Sequence, residues 1–385
     1  MRRFWLLAFV LLTACGSATT EKPAGASPGG TAPSSTSTPS RVTAPSATST
    51  SSPVTAGSLP PRCKLPLIES NISGGFLVFP DGTYASDPGS YETFDFANHN
   101  LRTTVDPAFH GPQDYSMDQP VFDARSSRWL PVPRASVSPD GSSYVYSQYL
   151  YPPNASATSL PPPIGSMIRL VTIGTGEDKV IYQGSPYDVV GWQQEGVYLR
   201  RPCTDANCQS GGGLWLLPGS GAPQLVAAPP AQVSSIRQVP MWSALGGGAA
   251  WALAADPTDG NLDRLLRHDL MGGTETVWFS RPRSTWMSLL GIDSGAPMLA
   301  VRENSSMGVW LISGRDTAQL LMTMPIVQTS GPGGGQLAPA DPEGSPVHDS
   351  YGTWLGTNGG VLLRMSDGTV RKMSDKAGAV AGSCS

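Results

Sequence analysis

One arrangement of residues recurs from about residue 135 onward and limits the folds open to this chain. A short apolar segment, a turn containing glycine and a second apolar segment return every 43–52 residues or so, about the period of a repeat architecture. The copies begin at Ile168, Leu214, Leu265 and Val309. A further pair of apolar segments precedes each copy; these pairs span Ala135–Tyr146, Val189–Leu199, Met241–Leu253 and Leu289–Val301. No long stretch follows a helical period, so each repeat is expected to supply two hairpins, or four strands.

Four antiparallel strands per repeat are the content of one blade of a β-propeller. Hairpin turns predict six blades and lie near Asp81-Gly82, Asp140-Gly141, Gln194-Glu195, Gly246–Gly248, Ser294-Gly295 and Asn358-Gly359. Residues 91–132 leave room for a seventh, degenerate blade. The final unit, Thr353–Met373, shows three strands, and Leu65–Ile68 is expected to supply its fourth and close the ring. The main alternative to this all-β propeller is two β-sandwiches in tandem.

One of these hairpins carries a distinctive motif. Val137-Ser138-Pro139-Asp140-Gly141, followed by Tyr144-Val145-Tyr146, resembles the hairpin of WD40-like and TolB-type β-propellers, in which the Asp-Gly turn links two strands of a blade. The resemblance implies the fold. It indicates little about function, because one fold hosts many activities.

The N-terminus has the layout of an export signal. Arg2 and Arg3 precede the apolar run Phe4–Leu12, which is too short to span a membrane as a mature helix. Leu12-Thr13-Ala14-Cys15 resembles the lipobox of bacterial lipoproteins. That resemblance implies that residues 1–14 are removed and that Cys15 carries a thioether-linked diacylglycerol and further acyl groups such as palmitate. The chain is therefore predicted to be lipid-anchored on the extracytoplasmic side of the cell membrane; an ordinary secretory signal is the alternative.

Residues 15–61 are predicted to form a disordered tether. They consist almost entirely of Ser, Thr, Pro, Ala and Gly after Cys15, and only Glu21, Lys22 and Arg41 are charged. Such a segment has too little apolar surface to offset its conformational entropy. The folded propeller domain is accordingly assigned to residues 62–385.

The composition of the chain argues against one class of partner and favours strands. Charged residues make up 14% of the chain, the net charge is −4, and no basic cluster is present, so nucleic acid is not expected as a partner. The 44 glycines and 37 prolines indicate many tight turns.

Four cysteines remain if Cys15 is lipidated, and an even number in an exported chain suggests disulfides. They allow three pairings, which the sequence alone does not settle. Spacing favours Cys203 with Cys208, five residues apart in a polar loop, and Cys63 with Cys384, which would tie together the ends of the domain. A metal site made of four thiolates is disfavoured because paired C-x-x-C spacing is absent.

The polar insertion Ala97–Gln119 is the main candidate binding loop, because binding residues concentrate on loops over a rigid scaffold. It contains His99, His110, Asp114 and Tyr115. A zinc or acid–base site there is an alternative to a solvated insertion.

Two other segments superficially suggest chemistry. Asp256, Asp259, Asn261 and Asp263 alternate like calcium ligands but lack the glycine and distal glutamate of an EF-hand loop. Gly291–Gly295 contains Ser294 but does not match the nucleophile elbow. We therefore assign no catalytic residue, metal or cofactor.

The leading functional hypothesis is a non-catalytic binding or scaffolding propeller with a protein or glycan partner at the cell envelope. The alternative is an extracytoplasmic enzyme acting on carbohydrate or another small substrate at the central channel, with residues from several blades.

Overall fold

The computed structural model describes residues 62–70, 73–90, 113–116, 119–152, 162–202, 212–219, 221–231, 240–282, 286–303, 306–325 and 342–385. All of them belong to one compact unit, Ser58–Ser385. The signal segment and the predicted tether lie outside the described residues. Within the described part of the chain, no helix is long and apolar enough to cross a membrane.

The described residues form 26 strands and two single turns of 3-10 helix, Pro88–Ser90 and Arg134–Ser136. The first thirteen strands are β1 Lys64–Ser70, β2 Ser73–Val78, β3 Thr83–Ser86, β4 Gln113–Ser116, β5 Val121–Asp123, β6 Arg128–Leu130, β7 Ser143–Leu150, β8 Gly165–Thr172, β9 Asp178–Gly184, β10 Asp188–Gln193, β11 Gly196–Arg200, β12 Leu214–Leu217 and β13 Gln224–Ala227. The others are β14 Trp242–Gly246, β15 Ala249–Ala255, β16 Leu262–Asp269, β17 Glu275–Pro282, β18 Trp286–Asp293, β19 Ala296–Glu303, β20 Ser306–Gly314, β21 Thr317–Pro325, β22 Pro342–Asp349, β23 Gly352–Thr357, β24 Gly360–Arg364, β25 Val370–Ser374 and β26 Ala379–Val380.

Six four-stranded antiparallel sheets make up the blades, so the chain is a six-bladed β-propeller over its described residues. In order, the blades are β26-β1-β2-β3, β4-β7-β8-β9, β10-β11-β12-β13, β14-β15-β16-β17, β18-β19-β20-β21 and β22-β23-β24-β25. We number them blades 1 to 6, with the inner strand first. The predicted propeller is confirmed, and the tandem-sandwich alternative is wrong. Within the described residues of 91–132, β4 joins blade 2 and β5 and β6 form a separate hairpin, not a seventh blade.

The predicted ring closure is wrong in detail. Leu65–Ile68 lies in β1, which pairs with the C-terminal β26 in blade 1 through Leu67 with Val380 and Ile68 with Ala379. Blade 6 is complete without it, because Pro342–Asp349 forms its inner strand β22. This strand was not predicted, because its sequence, Pro-Glu-Gly-Ser-Pro-Val-His-Asp, lacks the alternation of apolar and polar residues typical of a strand.

Two of the six turns used for counting also have a different place in their blades. Asp81-Gly82 joins the third and fourth strands of blade 1, and Asn358-Gly359 joins the second and third strands of blade 6. The count was nevertheless right, because each blade contributed one turn.

The inner strands lie against one another around the ring. A Cβ atom at Gly246 would lie 2.5 Å from Ile292 Cγ2, and one at Gly247 would lie 2.4 Å from the carbonyl oxygen of Gly295. These glycines therefore permit a backbone approach that a side chain would block. The contact also places the turns between first and second strands together, at what we call the turn end. The chain passes from blade to blade at the opposite connection end.

Bulges interrupt both edges of most blades. Inner strands β10, β14, β18 and β22 each shift register against the next strand, and so do the outer strands β9, β13, β17, β21 and β25. A bulge twists an edge away from flat pairing, which protects it against association with another strand.

The apolar core lies between neighbouring blades. Trp242 of blade 4, fully buried, packs in one cluster with Val190 and Tyr198 of blade 3. Separate clusters join blades 2 and 3, 4 and 5, 5 and 6, and 6 and 1. Each blade therefore buries both of its faces, which explains why central strands such as Ala249–Ala255 are apolar almost throughout.

The junction between blades 1 and 2 is built differently, with the β5–β6 hairpin between the sheets. Phe122 and Trp129 of the hairpin contact Phe76 of blade 1, at ring-centroid distances of 5.0 and 6.1 Å. On the other side, Leu130 packs in a cluster with Tyr146 of blade 2. The hairpin thus supplies apolar surface to both blades.

The ends of the domain are joined covalently and by hydrogen bonds. The structure contains a Cys63–Cys384 disulfide with a Cα–Cα distance of 5.4 Å and a sequence separation of 321 residues. The amide of Lys64 donates to the Ser385 carbonyl at 2.8 Å, and the amide of Ser385 donates to the Lys64 carbonyl at 3.2 Å. The other predicted pair, Cys203 and Cys208, lies outside the described residues.

Candidate functional site

The predicted binding loop Ala97–Gln119 enters the propeller at the inner edge of blade 2. Its residues Gln113–Ser116 form β4, in which Asp114 pairs with Tyr149 and Tyr115 pairs with Gln148. The backbone of this part of the insertion is therefore an inner strand of the ring. His99 and His110 lie outside the described residues.

Two pieces of chain together complete this inner edge. β4 pairs with the C-terminal half of β7, and Val137 forms a single bridge with Tyr144 in the N-terminal half of β7. The Asp140 carboxylate stabilises the turn between Val137 and Tyr144, because it accepts hydrogen bonds from Ser138 Oγ at 2.6 Å and from the Ser142 amide at 3.0 Å. These bonds lower the pKa of Asp140 to about 2. The predicted hairpin is present, but its first strand is reduced to one bridged residue.

An arginine stacked on aromatic rings lies at the connection end of blades 2 and 3. The guanidinium carbon of Arg201 is 4.7 Å from the Trp215 ring centroid and 5.5 Å from that of Tyr187. Tyr187 in turn makes edge contacts with Trp215 and with Tyr182 of blade 2, both at 5.7 Å. We call Tyr182, Tyr187, Arg201 and Trp215 the Arg201 platform.

The chain order explains how the platform assembles. Tyr187 immediately precedes the inner strand β10, Arg201 immediately follows β11, and Trp215 lies in β12. The antiparallel pairing of these strands brings the three positions to one end of blade 3. Burial raises the pKa of the Tyr187 hydroxyl, while the hydrogen bond that its oxygen accepts from Arg201 acts in the opposite direction.

A polar cluster lies at the turn end between blades 5 and 6. Asp293, which is buried, accepts a hydrogen bond from Thr353 Oγ1 at 2.9 Å and lies 3.3 Å from His348 Nδ1. Ser294 Oγ donates to the same carboxylate at 3.2 Å. Nucleophile activation would require the imidazole between the serine and the carboxylate. Here Ser294 and His348 each contact the Asp293 carboxylate directly, so this arrangement does not match that of an activated nucleophile. The cluster instead links blades 5 and 6.

The acidic loop resembling calcium ligands is used to close a turn. Asp256 Oδ1 accepts hydrogen bonds from the Thr258 amide at 2.7 Å and the Asp259 amide at 3.1 Å. These and the Thr258 hydroxyl lower the pKa of Asp256 to about 2. Its other oxygen faces Arg264 at 3.7 Å. Among the described residues, no group of three or more His, Cys, Asp or Glu side chains is arranged to hold a metal.

Arg201 was not among the candidate site residues predicted from the sequence. The signals for it were present, because the pair Arg200-Arg201 directly follows a repeat strand and precedes the polar Cys203–Cys208 loop. Among the described residues, Arg200 pairs with Asp188 at 3.2 Å in the neighbouring strand, and Arg201 has no acidic partner. Which arginine would be paired depends on strand register, which the sequence pattern does not provide.

No protein-family model and no curated protein matches this sequence. Solved structures with a similar fold include a protein from Lactobacillus plantarum, with 9% identity over 83% of this chain and 97% of that one and a TM-score of 0.45. Oligogalacturonate lyase from Vibrio parahaemolyticus has 10% identity over 78% and 89% of the two chains, with a TM-score of 0.43. TolB from Acinetobacter baumannii has 12% identity over 81% and 79%, with a TM-score of 0.37.

Proposed function

We propose that this protein is a lipid-anchored, extracytoplasmic β-propeller that binds a protein or glycan partner at the cell envelope and has no catalytic activity of its own. The anchor is Cys15, released as the mature N-terminus by cleavage after Ala14. Residues 15–61 act as a tether, and residues 62–385 form the binding domain. Two or three acyl chains would hold such a protein stably on the membrane.

The single observation that carries the proposed location is the Cys63–Cys384 disulfide. Structural disulfides persist in oxidising compartments and are rare in the cytoplasm. This one joins the two ends of the domain, where it supports the pairing of β1 with β26. A domain whose two ends are joined by such a bond suits an exported chain, in agreement with the predicted N-terminal signal.

The connection end of blades 2 and 3 is our choice for the binding face. There the predicted binding insertion reaches the inner edge of blade 2 through β4, and the Arg201 platform joins blades 2 and 3. Tyrosine, tryptophan and arginine are the residue types that dominate the energetics of protein interfaces.

Lipidation is tested with the full-length chain expressed in its own cells with radiolabelled palmitate. We expect label in the protein and recovery in the membrane fraction, and loss of both in Cys15→Ser. Cys203→Ser is the matched control and should keep the label. Label that persists in Cys15→Ser would contradict the proposed anchor.

Binding is tested by cross-linking in the same cells, followed by recovery of the intact lipoprotein and mass spectrometry. In one variant a Gly/Ser linker replaces residues 97–110, leaving β4 in place. The control is Met271→Ser, at an exposed turn on the opposite end. The proposal predicts one stoichiometric partner that the linker variant loses and the control keeps. Equal recovery in both would place the binding face elsewhere.

A further inference from the structure

The described residues include four cations stacked on aromatic rings, and three of them also contact a carboxylate. Arg267 lies over Trp278 and pairs with Asp269 at 3.1 Å. The other two are Arg281, over Trp310 and paired with Glu303, and Lys376, over Tyr84 and paired with Glu69. Arg201 is the fourth, and it has no carboxylate partner among the described residues.

The hydrogen bonds of Arg201 are also incomplete. Among the described residues, its buried Nε has no acceptor, and its Nη2 donates to the Tyr187 hydroxyl alone, at 3.5 Å. Stacking covers the faces of a guanidinium but leaves its edge of five N–H donors to be satisfied. The Nε of Arg281 is likewise without an acceptor, but its Nη2 bonds to Glu303. Arg201 therefore bears the cost of partial desolvation without the compensating charge that the other three cations have.

The acidic residue of the neighbouring strand is already paired. Asp188 lies in β10 beside this site, and its carboxylate pairs with Arg200. Within the part of the chain that the structure describes, Asp188 pairs with Arg200, and Arg201 has no carboxylate partner. Arg201 lies at the start of the connection that follows β11, at the connection end of the propeller.

We propose that the Arg201 platform is a binding site for a carboxylate. The guanidinium edge takes the two carboxylate oxygens, and Trp215 and Tyr187 keep the guanidinium plane in a fixed orientation. Paired N–H donors in a planar fork match a carboxylate in a bidentate geometry. The carboxylate belongs either to a small organic acid, including an acidic sugar, or to an acidic side chain of a partner protein. This inference deepens the proposed binding function and rests on it.

The test is a ligand-observed NMR titration of the full-length protein in detergent with benzoate, and with benzamide as the uncharged probe of similar shape. The proposal predicts that Arg201→Gln weakens benzoate binding by about tenfold or more, as expected for loss of charge-assisted hydrogen bonds. Benzamide binding should be unchanged. Arg267→Gln, the matched variant of a carboxylate-paired arginine, should bind benzoate like the wild type. Melting temperature establishes that each variant is folded.

Two further arms identify the source of the carboxylate. Glucuronate and an amidated pentapeptide containing one glutamate are titrated in parallel, and the tighter Arg201-dependent binder indicates a sugar acid or a protein partner. Asp205→Asn tests whether the chain supplies its own acid, since Asp205 is close in sequence and outside the described residues. Benzoate binding seen only in Asp205→Asn would overturn the proposal, as would equal binding of benzoate by the wild type and Arg201→Gln.

The two proposals fail separately. Loss of carboxylate binding with an intact cross-linked partner would remove the Arg201 inference alone. If no cross-linked partner is found but carboxylate binding still depends on Arg201, the ligand is a small molecule. That result would rule out a protein partner in the proposed function.

Discussion

The junctions among blades 3 to 6 and the junction between blades 1 and 2 solve the same packing problem in different ways. In the first group, side chains of adjacent sheets meet directly, as Trp242 does with Val190 and Tyr198. Between blades 1 and 2, the β5–β6 hairpin fills the space, and Trp129 supplies much of the contact. The repeat thus specifies the regular junctions, and a non-repeating insertion specifies the other.

The irregular junction lies close to where the two ends of the domain are joined. The hairpin follows the predicted binding loop Ala97–Gln119 in sequence, and both come after β3 of blade 1, whose inner strand is the C-terminal β26. The part of the ring that is free of the repeat is therefore also the part where the ends of the chain are joined. The predictions below separate the two kinds of junction.

The largest expected effect is on a regular junction. Trp242→Ala should lower the free energy of unfolding by about 3–5 kcal/mol, because a fully buried indole is replaced by a cavity between two blades. Chemical denaturation measures the change. Trp129→Ala is the comparison at the hairpin junction, and hydrogen exchange should then increase mainly in β5, β6 and blade 1. A global increase in exchange for Trp129→Ala would show that the hairpin is as integral as the blades.

The next effect concerns closure. Replacing Cys63 and Cys384 together by serine should lower the free energy of unfolding by about 2–5 kcal/mol, because the cross-link restricts the unfolded chain over a very long loop. Denaturation of the variant and of the wild type is compared with and without reductant. The reductant should lower the free energy of unfolding of the wild type toward that of the variant. The stability of the variant itself should stay nearly unchanged. A variant as stable as the oxidised wild type would show that β26 alone closes the ring.

A pH effect is expected at the junction between blades 3 and 4. Burial lowers the pKa of His268, whose ring lies 5.6 Å from Trp242, while Glu275 and Asp269 oppose the shift. The unfolded state then binds more protons than the folded state below the ordinary histidine pKa of about 6.5. Stability should therefore decrease as the pH falls through that value, by at most about 1.4 kcal/mol per pH unit for one proton.

Denaturation curves of the wild type and His268→Phe between pH 5 and 8 measure this dependence. Below about pH 6.5, the free energy of unfolding of the phenylalanine variant should depend less on pH than that of the wild type, because the contribution of His268 is removed. His348→Phe, at a half-exposed position, serves as the control. An unchanged slope in His268→Phe would mean that other groups cause the acid sensitivity.

The smallest effect tests a single hydrogen bond at the hairpin junction. Trp129 Nε1 donates to the Asp87 carboxylate at 2.9 Å, so Asp87→Ala should cost about 1–2 kcal/mol. Asp367→Ala, which removes an exposed turn-capping carboxylate, should change stability by about 0.5 kcal/mol or less. Equal effects of the two substitutions would mean that the indole bond contributes nothing beyond turn capping.

The sequence predicted the repeating part of the fold because apolar strands and glycine turns are local signals. Val309–Gly314 and Leu320-Leu321 were identified in this way and lie in β20 and β21. The inner strand β22 was missed, since Pro342–Asp349 has few apolar residues and a long irregularity between Glu343 and Val347. The place of β1 was also misassigned, because its partner β26 is only two residues long and lies at the far end of the chain.

The candidate site was less accessible to sequence reasoning. The Arg201 platform depends on side chains from β9, β12 and two strand ends, and their meeting follows from register and blade order. The Asp293 cluster likewise joins residues 60 positions apart. The Cys63–Cys384 pairing was the exception, since the expectation that a ring must close relates the two ends of the domain directly.

The most direct test of an exported, disulfide-closed propeller is peptide mapping of the full-length protein taken from its own cells after immediate blocking of free thiols. We expect a linked peptide pair containing Cys63 and Cys384, released only by reductant. Recovery of both cysteines as blocked thiols would contradict this expectation, because the domain would then have been reduced in the cell and closed by β26 without its disulfide.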